Sequence, residues 1–315
     1  MPKNPRENRL QRLKALADEP QEQVVYARSL LETEKEKQIL EAALRVLQDY
    51  PDPENRSLLL DLYRHYAETG PKRDPGMYLR AAILRALRPV AHHADLPLVE
   101  QAALTYEIMP SRHDAEGAEL RALALSIMND LDDRLAGYYA VKLLVDHTTS
   151  EMSGEPALTA AKILSAQGLT LPLYQYLVGT NDKAPEVVAA CLRGLENLPE
   201  TLLAKLVATY RFNGSEIVLL GLFDLLLTHP QGKVFSDVFT GFLAATGSFE
   251  LYRYVALALI TGGKPELMGN FLERVKTEKD PLKQEIILEL LPLIQGNDLK
   301  ARAAEVLKKF GKVKP

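Results

Sequence analysis

The chain has 315 residues, of which 56 are leucine and 35 alanine, with 42 acidic and 38 basic side chains, no tryptophan and one cysteine. The single cysteine excludes a disulfide scaffold and a cysteine-rich zinc module, and a net charge of −4 excludes a strongly basic nucleic-acid binder. A hydrophobic content of 47% is ample for a packed core and speaks against a disordered chain.

From the N-terminus, Met1 to Leu16 carries five Lys/Arg and one acidic residue, with no apolar core of the kind a secretory leader needs. The most apolar stretch, Ile217 to Leu227, is 11 residues long and contains Asp224. This suits a buried helix and is too short to span a membrane. The reading is a cytoplasmic protein with no membrane partner. Charge is uneven: residues 1–16 and 298–315 are each +4, which leaves −12 on residues 17–297.

The apolar spacing is helical. Ile39, Leu40, Ala43, Leu44 and Leu47 make one stripe on a 3.6-residue period, as do Leu219, Leu220, Phe223, Leu226 and Leu227, and Ile286, Ile287, Leu290, Leu291 and Ile294. Alternation of period two is missing, so almost no sheet is expected. Turn signals punctuate the chain: Pro51-Asp52-Pro53, Gly70-Pro71, Asp74-Pro75-Gly76, Met109-Pro110-Ser111, Ser153 to Pro156, Asn181 to Pro185, Pro199, His229-Pro230, Gly262 to Pro265, Asp280-Pro281 and Gly296-Asn297-Asp298. They are mostly 12–20 residues apart, which predicts helices of three to five turns joined by short loops.

The second helix of each presumed pair starts at Tyr78, Glu119, Ala157, Glu186, Glu216, Glu250 and Leu282, giving steps of 41, 38, 29, 30, 34 and 32 residues. A period near the mid-thirties indicates stacked helical hairpins, each too small to bury its apolar face without a neighbour.

Asp74-Pro75-Gly76-Met77-Tyr78-Leu79-Arg80-Ala81-Ala82-Ile83-Leu84-Arg85-Ala86-Leu87 resembles the turn and second helix of a HEAT repeat; Leu120-Arg121-Ala122, with Asp114 upstream, repeats its core, and Tyr252-Arg253 is a weaker echo. Units at Pro156, Pro185 and Pro281 keep the proline and the apolar pattern without the arginine. The likeness covers roughly residues 74–295, and armadillo-like α-solenoids match nearly as well. It implies an all-α, right-handed α-α superhelix of stacked antiparallel helix pairs, about seven to nine of them. Residues 1–73 read as N-terminal helical hairpins, in which Tyr63 and Tyr66 lend a resemblance to tetratricopeptide repeats and which form a divergent cap. Residues 74–295 read as the array, and 296–315 as a basic C-terminal helix or tail, all in one continuous solenoid. The resemblance further implies a binding scaffold, with Asp74, Arg80, Asp114, Arg121 and Arg253 as a structural ladder between repeats.

Signatures of catalysis are missing. His92-His93 with Asp95, and His113-Asp114, are the suggestive metal cluster, but the second pair lies in a predicted loop instead of at a helix end. No His-Glu pair occurs, which excludes the His-Glu-x-x-His zinc motif. Gly262-Gly263-Lys264-Pro265 reads as a helix end followed by a proline at the next helix start, with no phosphate loop. Cys191, in the apolar stretch Val187 to Leu195, reads as a small buried hydrophobe. No catalytic residue, metal site or cofactor is assigned.

The expected function is a non-enzymatic scaffold that binds another protein on the concave face of its second helices, through Arg85, Arg88, Lys162 and Arg193. A HEAT-like DNA-repair glycosylase or another nucleic-acid-binding solenoid is the alternative, weakened by the acidic body and the missing tryptophan. Residues 151–262 hold only 17 charged side chains. That sparseness fits either a sticky or self-associating surface or helices covered on both sides; the oligomeric state stays open.

Overall fold

The computed structural model describes residues 5–108, 115–179 and 184–310. They form eighteen α-helices and fall into two compact units, Met1–Ile163 and Leu164–Pro315. The first unit holds α1 (Pro5–Ala15), α2 (Pro20–Thr33), α3 (Lys37–Asp49), α4 (Arg56–Thr69), α5 (Tyr78–Leu87), α6 (Leu96–Ala103), α7 (Ala118–Leu131) and α8 (Asp133–Leu144). The division falls inside α9 (Ala157–Ala166). The second unit continues with α10 (Thr170–Gly179), α11 (Pro185–Arg193), α12 (Glu200–Tyr210), α13 (Glu216–Thr228), α14 (Ser236–Ala245), α15 (Phe249–Thr261), α16 (Pro265–Val275), α17 (Pro281–Leu290) and α18 (Asn297–Phe310).

All seven predicted second helices are present, as α5, α7, α9, α11, α13, α15 and α17. Proline stands in the first turn of α2, α6, α11, α16 and α17, where its missing N–H costs nothing. Asp132, Ser248 and Asp280 cap α8, α15 and α17 with side-chain oxygens. Gly262 ends α15 and Pro265 opens α16, as the Gly-Gly-Lys-Pro reading expects.

Each unit is an all-α, solenoid-like stack. A helix packs on its chain neighbour and on the helix two places along. In the first unit α3 packs on α5 and α5 on α7; in the second α11, α13, α15 and α17 pack in sequence, as do α14, α16 and α18. The seams are apolar: Leu40, Leu44, Leu79, Ile83, Leu120 and Leu125 are buried in the first unit, and Leu192, Leu222, Phe223, Val255 and Ile287 in the second. Each such side chain contributes about 1.5–3 kcal/mol. The α11–α13 seam is close: a Cβ on Gly221 would lie 2.6 Å from the Cα of Ala189. Small residues therefore set the approach of these second helices.

The predicted loop after α6 contains a short antiparallel ribbon, β1 (Glu107–Ile108) paired with β2 (Ala115–Glu116). Asp114 and His113 lie outside the described residues. Among the described residues no helix is long and apolar enough to cross a membrane.

Candidate interaction surface

Two kinds of polar construction link neighbouring helices, one buried and one exposed. In the first unit the buried kind begins at Asp74. Its Oδ1 accepts the Leu79 N–H (2.9 Å), and its Oδ2 accepts the N–H (3.0 Å) and Nε–H (3.0 Å) of Arg80, so one carboxylate closes the start of α5 and holds the guanidinium. Arg80 Nη2 reaches Glu107 Oε1 at 2.5 Å. Asp74 and Arg80 are 0% and 2% exposed. The nearby Tyr63 hydroxyl is pushed up to about 12, mainly by burial.

Arg121, fully buried, makes a second such centre with a partner outside the motif. Its Nε pairs with Asp146 Oδ2 (3.1 Å), Nη1 donates to the Thr105 carbonyl (3.2 Å), and Nη2 donates to the Thr148 hydroxyl (2.6 Å). The Tyr106 ring lies 4.2 Å from the guanidinium, and its hydroxyl donates to Asp146 (3.1 Å). Burial alone would raise the Asp146 carboxyl; bonds from Thr148, the charge of Arg121 and the Tyr106 hydroxyl hold it below the usual carboxylate range. Burial lowers Arg121 itself. The consecutive residues Thr105, Tyr106 and Glu107 thus bind both arginines and tie α5 to α7. Gly117 makes room for this: a Cβ there would come within 2.6 Å of Met77 Sδ and 3.3 Å of Arg121 Nη1, at a φ of +99°.

Asp95 is also committed to structure. It accepts the His92 N–H at 2.8 Å and takes the Arg56 Nε–H at 2.9 Å. Burial raises its carboxyl, but Arg56 and the His92 N–H outweigh that and lower it overall. Among the described residues no group of three or more His, Cys, Asp or Glu comes together as a metal site. Cys191 is buried within α11.

Arg253 makes its link between neighbouring helices at the surface, unlike buried Arg80 and Arg121. It is exposed on α15 and pairs with Glu289 of α17 at 2.5 Å, because its neighbour Tyr252 takes the inward position. The buried cation of this region is Lys283, missed by sequence reasoning. It is the third residue of α17, as Arg80 is the third of α5, and that shared position was the available signal. Lys283 donates to the Leu243 carbonyl at the end of α14 (3.1 Å) and sits 5.1 Å from the Tyr252 ring centroid.

The same device recurs through the second unit. The Tyr210 hydroxyl donates to the Leu177 carbonyl of α10 (3.0 Å), and Lys264 Nζ donates to the carbonyls of Leu226 (3.2 Å) and His229 (2.6 Å) at the end of α13. His229 Nε2 donates to the Leu198 carbonyl (2.7 Å), while its Nδ1 accepts the Gln231 N–H (3.0 Å), which places the ring proton on Nε2.

The exposed construction runs along the second helices, where the candidate partner-binding cations lie. Arg85 pairs with Glu119 of α7, and Arg88, just past α5, grips Asp130 with two bonds of 2.6 and 3.2 Å. Arg193, ending α11, pairs with Asp224 of α13 (2.7 Å), whose other oxygen accepts the Tyr254 hydroxyl of α15 (2.6 Å). Burial and that bond push the Tyr254 hydroxyl up to about 12. Lys162 is exposed on α9, with no ion pair among the described residues. Arg85, Arg88 and Lys162 belong to the first unit and Arg193 to the second.

The charge-poor stretch is only partly a matter of covered helices. α10 exposes Leu171 and Val178, α12 exposes Ala204 and Ala208, and α14 exposes Ala244 and Ala245. In comparisons with known proteins, no family model matches the chain and no curated protein sequence matches it significantly.

Proposed function

We propose that this chain is a non-enzymatic, cytoplasmic helical-repeat scaffold of the HEAT-like kind that binds another protein on the exposed face of its second helices. One observation carries the reading. The exposed side chains of that face are linked from helix to helix, as Arg193–Asp224–Tyr254 and Arg253–Glu289 are. Side chains already fixed lose less entropy when a partner docks, so such a face is prepared for association. Exposed Leu257 and Leu288 beside those links supply apolar area.

The test is affinity capture from cell lysate with wild-type protein and with the charge reversals R85E, R88E, K162E and R193E, each checked for unchanged helicity and melting. Selective loss of a recovered protein is the expected result. Equal recovery by every variant overturns the assignment of the face. Salt-dependent retardation of nucleic acid in a low-salt gel shift would favour the alternative solenoid class instead.

A further inference from the structure

The second-helix face of the second unit has a chemical character that says what kind of partner it fits; this inference rests on the scaffold reading. On α15, Glu250, Tyr254 and Leu257 follow at i, i+4 and i+7 and share the solvent side. On α17, Glu285 and Leu288 stand one turn apart and are likewise exposed. The cations of this face are engaged, Arg193 with Asp224 and Arg253 with Glu289. Among the described residues Glu250 and Glu285 have no cationic partner.

The helix dipole accounts for Glu250, which lies in the first turn of α15. It does not account for Glu285, in the middle of α17 and clear of the helix N-terminus. The face therefore carries uncompensated negative charge around an apolar strip. Its aromatic ring is held from behind, since the Tyr254 hydroxyl is fixed by Asp224 and Asp224 by Arg193. Carboxylates beside an anchored aromatic ring attract ammonium and guanidinium groups from two directions, by charge and by the ring quadrupole.

We infer that this face takes a Lys/Arg-bearing amphipathic segment of a partner protein. Its cations meet Glu250, Glu285 and the Tyr254 ring, and its apolar side lies on Leu257 and Leu288. A nucleic-acid strand is the opposite of what this charge selects.

The experiment is fluorescence anisotropy on the full chain with short labelled peptides that place Lys or Arg and Leu at helical spacing, against the same peptides with Glu for each cation. The basic peptides are expected to bind, more weakly as salt rises. The double variant E250K/E285K weakens binding by about tenfold or more, Tyr254→Ala weakens it less, and Glu200→Lys, exposed on α12, leaves it unchanged. Losing a first-turn carboxylate costs some helix stability in E250K/E285K and in Glu200→Lys alike, so the control carries the same stability change, and melting of each variant is measured alongside binding. Equal binding of basic and acidic peptides overturns the inference, as does a loss with Glu200→Lys equal to that with E250K/E285K. If a captured partner depends on the Arg193 face but stays bound to E250K/E285K, the basic-segment inference fails while the scaffold reading stands. If no face variant changes capture, the scaffold reading itself fails.

Discussion

The two units hold successive helices together by different chemistry. In the first, buried arginines meet buried carboxylates: Arg80 with Asp74 and Glu107, Arg121 with Asp146. In the second, side-chain donors reach earlier carbonyl oxygens, at the ends of helices for Tyr210 to Leu177, Lys264 to Leu226 and Lys283 to Leu243, and in the turn before α12 for His229 to Leu198. Both devices satisfy buried polar groups, but they fail differently. Deleting one partner of a buried ion pair leaves a charge without compensation, whereas deleting a donor to a carbonyl leaves one unpaired dipole. A polar link in such a stack therefore has a cost of removal set by what remains behind.

The largest break in this comparison is Arg121→Leu. Asp146, 2% exposed on its side chain, is then stranded, and we expect a loss of about 3–5 kcal/mol in urea unfolding followed by circular dichroism. The same pair has a pH signature. Asp146 and Asp95 are depressed in the fold, so the stability they confer is present above the unfolded carboxylate value of about 3.9 and disappears as pH falls through their lower folded values. Melting scans from neutral to acid pH should show a steep acid limb in the wild type and a shallower one in Arg121→Leu. An unchanged limb would remove Asp146 as its source.

Gly221→Ala comes next. The new methyl meets the Ala189 backbone at 2.6 Å, and overpacking of this kind costs about 1–3 kcal/mol; Gly241→Ala, with open space around its Cβ, is the control. Lys283→Met keeps the length of the side chain and strands only the Leu243 carbonyl, for a loss of about 1–3 kcal/mol. A loss as large as that of Arg121→Leu would erase the distinction between the units. The smallest effect is Arg253→Ala, which removes an exposed pair with Glu289 and should cost about 0.2–1 kcal/mol, less at high salt.

The helices were readable because proline, glycine and Asp/Ser caps act locally, within a turn of where they stand. Asp74 with Arg80 was readable for the same reason, six residues apart and joined by the turn they close. The partner of Arg121 was not, because Asp146 lies 25 residues further on, past an intervening helix, and carries no motif of its own. That Arg253 makes its link to Glu289 at the surface was less legible, because a one-residue rotation on a helix decides which side chain turns inward, and Tyr252 occupies that place. The pairing of Arg85, Arg88 and Arg193 with Glu119, Asp130 and Asp224 depends on which helices stack, a long-range fact that spacing along one helix does not hold.

The donor-to-carbonyl links of the second unit also order its birth. They span 33, 31, 38 and 40 residues, always from a later residue back to an earlier one. On the ribosome, each of these four carbonyls waits open until roughly one more hairpin has been made, and is then closed by it. The unit is finished in the direction of its synthesis, and a nascent chain halted after Gly262 would still lack the lysines that seal α13 and α14.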